Sequence, residues 1–75
     1  MSVRLPMWIV TVAAHDVPRW HVPAHTVKIG ARTAGIACSF VVRWAHVDAG
    51  VPPWKPCVRL SLRFARAERA RSEGS

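Results

Sequence analysis

"IACSFVVRWAHV", residues 36–47, sits between the turn-like "ARTAG" and the proline-rich "DAGVPPWKP". Its alternation places Ile36, Cys38, Phe40, Val42 and Trp44 on one face and Ser39, Val41 and Arg43 on the other. A period of two over a segment rich in β-branched and aromatic residues predicts a strand, the longest of the chain. Downstream, "CVRLSLRF" (57–64) repeats the pattern, with Val58, Leu60, Leu62 and Phe64 inward and Arg59, Ser61 and Arg63 outward. The two segments are expected to pair antiparallel across the intervening loop.

Upstream, "MWIVTVAA" (7–14) is apolar on both parities, as in a strand covered on both faces. "HDVPRWHVP" (15–23) holds two prolines and is read as irregular. "AHTVKIG" (24–30) predicts a short strand ending at Gly30, although residues 24–34 also admit a helix stopped by Gly35. The last eleven residues, "ARAERARSEGS", change register to a short polar helix or frayed tail.

One phrase occurs twice: "AHDVPRW" (Ala14–Trp20) and "AHVDAGVPPW" (Ala45–Trp54). Each follows a Val-rich run, so the chain reads as strand–loop–strand stated twice, with chance in a Val-, Ala- and Pro-rich sequence as the rival reading. The expected fold is mainly β, with a small α+β fold as the alternative. Two long-looped antiparallel hairpins would form a four-stranded sheet or small barrel. Residues 1–65 form one small domain and residues 66–75 a basic helix or tail. Ile9, Val10, Phe40, Val42, Leu60 and Leu62 are the expected core, joined by Trp8 and Trp44.

Seventy-five residues allow one small domain, and such a chain buries only about 60% of its unfolded surface. With 51% hydrophobic residues it is nevertheless a folding chain rather than a disordered one. Eleven Lys plus Arg against four Asp plus Glu give a net charge of +7, and nine of the eleven cations are arginine. That balance favours anionic partners: RNA, DNA, an anionic membrane surface or an acidic protein. No apolar run approaches the ~20 residues of a membrane span. Arg4 before "LPMWIVTVAA" could open a short secretory signal cleaved before His15, but a first strand fits better. A cytoplasmic location, or one inside a nucleoprotein assembly, is expected.

Cys38 and Cys57 form no metal-ligand spacing. In the hairpin register nine strand residues at ~3.3 Å hold them about 30 Å apart, far beyond disulfide reach, so free thiols are expected. His15, His21, His25 and His46 have no paired cysteines to anchor a zinc site, and Pro23 spoils a helix between His21 and His25. Asp16 beside His15 and Asp48 near His46 are read as turn-forming residues rather than catalytic dyads. Without a nucleophile or phosphate-loop motif, neither an enzyme, nor a cofactor, nor a small-molecule substrate is expected.

The candidate contact residues are cationic and aromatic. Trp20 and Trp54 lie in the proline loops beside Arg19 and Lys55, where each could stack on a base or fold back onto the sheet. Arg59 and Arg63 share a face at a spacing of four, and Arg66, Arg69 and Arg71 extend the positive field. Together they suggest a non-catalytic basic protein that holds nucleic acid by its phosphates, as a minor component of a ribonucleoprotein or virion-type assembly. The alternative is a protein–protein interaction or structural subunit, with a protein partner or a homo-oligomer, using its Trp loops and strand edges.

Overall fold

A computed structural model describes residues 4–52 and 55–70, with the backbone alone at 55. The order of elements is β1 (Met7–Val12), β2 (His15–Val17), β3 (Trp20–Val22), β4 (His25–Gly30), α1 (Ala34–Ala49), α2 (Lys55–Leu62) and β5 (Ala65–Arg69). The fold is a small α+β arrangement. A three-stranded antiparallel sheet in the order β4-β1-β5 stands beside the two-stranded β2–β3 hairpin, and the sheets do not close into a barrel.

The expected strand at 36–47 is helix α1, and this is the main correction. Thr33 caps its start, its side-chain oxygen accepting from the Ile36 N–H at 3.2 Å. Its end is closed by Gly50 in the left-handed region, φ 77°. The Gly50 N–H donates to the Val47 carbonyl and the Val51 N–H to the His46 carbonyl, the paired bonds of a Schellman motif. The buried residues Ala37, Val41, Val42 and Ala45 fall on one helical face. Three of the expected alternating positions, Ile36, Phe40 and Trp44, are four residues apart, so they share a face in a helix as well as in a strand. That face is the outer one: Phe40 and Trp44, expected in the core, are 55% and 58% exposed.

Most of the second expected strand, 57–64, is likewise helical. In α2 the buried positions are Cys57 and Ser61, one turn apart, while Leu60, expected in the core, is exposed. The tail segment 65–69 is neither a helix nor frayed. It pairs antiparallel with β1, with Val12 opposite Ala65 and Trp8 opposite Arg69. The proline segment 15–23, read as irregular, is the β2–β3 hairpin. Its turn puts Pro18 where φ is naturally fixed and forces Arg19 to φ 126°.

Strands β1 and β4 form where expected, although β1 ends at Val12 rather than Ala14. Alternation along β1 turns Trp8, Val10 and Val12 inward, flanked by Val27 and Ile29 of β4 and Ala65 and Ala67 of β5. Helix α1 lies over that face, and Ala37, Val41 and Val42 complete the cluster. Val10 and Val42 are core as expected, Leu62 packs at the edge of the cluster, and Ile9 is on the opposite, open face of the sheet. Trp8 is partly buried, its indole N–H donating to the Ala31 carbonyl at 2.9 Å. A second cluster joins Val17 and Val22 of the hairpin to Ala45, Val51 and Cys57. Both thiols are free, Cys57 within this cluster.

The repeated phrase has no repeated backbone, since its first copy is a hairpin and its second ends a helix. Its residues nevertheless converge. Val17 and Val51 share the second cluster, and His15 and His46 meet the same hydroxyl, that of Ser61.

Candidate nucleic-acid interface

Four of the expected contact residues, Arg19, Trp20, Arg59 and Arg63, come from the β2–β3 hairpin and from α2 with the turn that follows it. Arg59 of α2 and Arg63, in the turn just after it, line an open hollow with Pro56 and Leu60. On the hairpin, Arg19, Trp20 and His21 line a second hollow, and Leu60 of α2 is part of that wall too. Leu60 therefore lines both hollows and joins two surfaces about forty residues apart in the chain into one shelf, with Arg59 and Arg63 on one side of it and Arg19 and Trp20 on the other. Trp20 is half-buried: part of its ring packs on the second cluster and the rest lines the hollow.

Acidic neighbours on this shelf are few. Asp16 lines the hairpin hollow, and its carboxylate is 2.8 Å from Nδ1 of His21, with both side chains exposed. Screening by water makes such an exposed pair worth little. It does partly offset the positive field beside Arg19.

The remaining cations do not join the shelf. Arg66 and Arg69 sit on β5 rather than on a helical continuation of α2, so Arg66 is not brought alongside Arg63. Arg66 points from the open sheet face and contacts Glu68 at 3.5 Å. Arg69 turns the other way and lays its guanidinium over the Trp8 ring, 5.8 Å from the centroid. Trp54, the Lys55 side chain and Arg71 lie outside the described residues.

What fixes α2 against the hairpin is a buried polar junction that sequence patterning does not reveal. Ser61 is fully buried, and its Oγ is 2.7 Å from Nε2 of His15 on β2 and 2.6 Å from Nε2 of His46 on α1. Nδ1 of His15 is 2.7 Å from the Ala13 carbonyl. A carbonyl can only accept, so His15 donates from Nδ1 and its Nε2 is free to accept. The Ser61 hydroxyl then donates to His15, and His46 must donate its Nε2–H to the Ser61 oxygen. This leaves Nδ1 of His46 as an unprotonated nitrogen, buried and without a partner among the described residues. Burial, and secondarily the nearby His15, push the His46 pKa below the ordinary histidine value. Phe64 closes the junction by stacking on the His15 ring, 4.4 Å between centroids and 6° from parallel.

A serine hydroxyl donating to a histidine nitrogen is also the first contact of a nucleophilic dyad. Here the oxygen is fully buried and bonded on both sides. The junction's chemistry is therefore positional: it ties β2, α1 and α2 together and so holds the hollow of Arg59 and Arg63 against that of Arg19 and Trp20. Ser and His are polar and read by pattern as surface residues, so alternation gives no hint of this junction. The repeated Ala-His is its one trace in the sequence.

Among the described residues, no group of three or more His, Cys, Asp or Glu side chains comes together. No described helix is long and apolar enough to cross a membrane. No protein-family model, no curated protein and no solved structure matches this chain. What can be assigned is a class: a small, strongly basic α+β protein with a cation-and-tryptophan shelf.

Proposed function

We propose that the protein is a non-catalytic nucleic-acid-binding component of a larger nucleoprotein assembly, holding phosphates on the shelf formed by Arg19, Trp20, Arg59 and Arg63. The observation that carries this reading is the junction at Leu60. Two cationic segments distant in sequence adjoin there, one of them carrying a half-buried tryptophan. Arginine is suited to such a role because its planar fork bonds phosphate oxygens in pairs. Trp20 supplies a ring for a base, which stacks without regard to sequence. Affinity would come mainly from release of counterions, and the protein would discriminate little between sequences.

The test is fluorescence anisotropy of labelled single-stranded RNA and duplex DNA of unrelated sequences, titrated with the full chain over a range of salt. Binding is expected to both at low salt. Replacing Arg19, Arg59 and Arg63 by Gln should reduce the slope of log K against log salt by about 0.7–0.9 for each phosphate no longer neutralised. Trp20→Ala should cost about 1–3 kcal/mol per stacked base while leaving that slope nearly unchanged. Arg66→Gln, on the far side of the sheet, should alter neither. A wild-type protein that ignores both polymers at low salt would overturn the proposal, as would a folded triple variant with unaltered slope.

A further inference from the structure

Helix α1 is apolar on the side away from the core as well as on the side facing it. Ile36, Phe40, Trp44 and Val47, spaced four, four and three, run along its outward face at 41%, 55%, 58% and 73% exposure. Arg43 and Ser39 border the stripe, and with Gly35, Ile36 and Phe40 they line an open hollow along it. A helix that is hydrophobic all round is normally covered on both sides. We infer that this stripe is a docking face for a second copy of the chain, the two α1 helices lying antiparallel about a two-fold axis that passes between Phe40 and Trp44.

Three observations favour that occupant. The spacing is nearly symmetric about the helix centre, so an antiparallel copy brings Phe40 against Trp44 of the second copy and Ile36 against its Val47. A two-fold contact requires this kind of self-complementarity. The area is also sufficient. From the exposures above, the four side chains offer on the order of 500 Å² per copy, and two facing copies bury on the order of 1,000 Å², the lower bound for a specific interface. The charge pattern fits an acidic partner or an anionic membrane less well, because Arg43 is the one cation lining the hollow along the stripe, and Arg19, Arg59 and Arg63 line separate hollows.

The two copies each carry +7, and a near-central Arg43 from each lies on the same flank of the pair. Salt screens that repulsion, so self-association should strengthen as salt rises. Binding of any polyanion weakens with salt, so the opposite sign separates this proposal from the nucleic-acid reading, on which it does not depend.

The experiment is sedimentation equilibrium of the full chain from about 1 μM to about 1 mM, at about 0.1 M and 0.5 M salt. A monomer–dimer equilibrium is expected at twice the 8.3 kDa chain mass, with Kd on the order of 10–100 μM at the higher salt. The double variant Phe40→Glu/Trp44→Glu should raise Kd at least about 100-fold. Lys28→Glu, on the open sheet face, makes the same change in net charge and should dimerise at least as well as wild type. Should the double variant lose its far-ultraviolet signal, hydroxyl-radical footprinting of the wild type replaces it. Phe40 and Trp44 must then gain protection with concentration while Phe64 does not. A wild type that stays monomeric at the highest concentration overturns the inference, as does a dimer indifferent to the double variant or lacking that protection. A monomer whose Trp44 is shielded only by phosphatidylglycerol vesicles, or only by added polyglutamate, assigns the stripe to another partner and overturns it equally.

Discussion

Replacing Ser61 by Ala should destabilise the fold severely, although it removes a single oxygen atom. The hydroxyl is fully buried and serves two histidines, accepting from Nε2 of His46 and donating to Nε2 of His15. Its loss strands one donor and one acceptor, each costing about 1–3 kcal/mol when buried without water. A net loss of about 2–4 kcal/mol is expected after crediting the desolvation that the alanine avoids. A core of this size supplies only about 3–5 kcal/mol, so the variant should sit close to its unfolding threshold at 25 °C. Urea titration followed by far-ultraviolet dichroism should show the midpoint falling by about 2–4 M, for a slope near 1 kcal/mol/M. A fall of less than about 0.5 M would refute the junction as a source of stability. The same junction sets the pH response. His46 is held below its ordinary pKa in the folded state, so as pH drops through about 6.5 the unfolded chain takes up a proton there that the folded chain refuses. His46's contribution is therefore fully present above that pH and lost as pH falls toward the folded value. The slope is at most about 1.4 kcal/mol per pH unit for this one group. His46→Gln should flatten that part of the profile; a wild type equally stable at pH 7.5 and 5.5, about one unit either side of a free histidine, would contradict the assignment.

Arg19→Gly should raise stability by about 1 kcal/mol, because φ 126° strains any side chain there and glycine does not resist it. The same variant should bind nucleic acid less well, so a thermal melt and an anisotropy titration should move in opposite directions. Gly50→Ala should cost about 1 kcal/mol through backbone strain alone, since an added Cβ meets nothing within 4 Å; an unchanged melting temperature would speak against the left-handed cap. Denatured protein without reductant should titrate two free thiols, while in the folded state Cys57 should react with a maleimide more slowly than the less buried Cys38, which burial itself makes a sluggish thiolate source.

The sheet is legible in the sequence where one period stands alone. Strand β4 and most of β1 follow from β-branched runs ended by Gly30 and by the Ala13-Ala14 pair. Helix α1 is not legible because its two opposite faces are both apolar. With Ile36, Phe40 and Trp44 outside and Cys38 and Val42 toward the core, the even-numbered positions imitate a strand. In α2 the misleading residue is Ser61: read as solvent-facing, it supports alternation, whereas its burial depends on two histidines distant in sequence. The stops at Thr33 and Gly50 carry the correct answer, since a cap and a left-handed glycine frame a helix rather than a strand. At the candidate shelf, the cationic residues are identifiable by type, but their grouping is not. The hollow of Arg59 and Arg63 adjoins that of Arg19 at Leu60, while Arg66 is carried onto the sheet because the chain turns at residues 63–64 and runs back as a strand.

Strand β1 acquires its two neighbours at very different distances along the chain. Val10 meets Val27 once the hairpin loop has closed, but it meets Ala67 only after both helices have been traversed. Closing the longer loop carries the larger entropy cost, and pairings of high sequence separation form late. During that interval β1 has one unpaired edge, with Trp8 and Val10 uncovered on one face and Met7 and Ile9 on the other. An apolar strand in that state can add to the same strand of another molecule as readily as to β5. Refolding yield should therefore fall with protein concentration and recover on dilution, and the rate at which β5 docks decides between native molecules and aggregate.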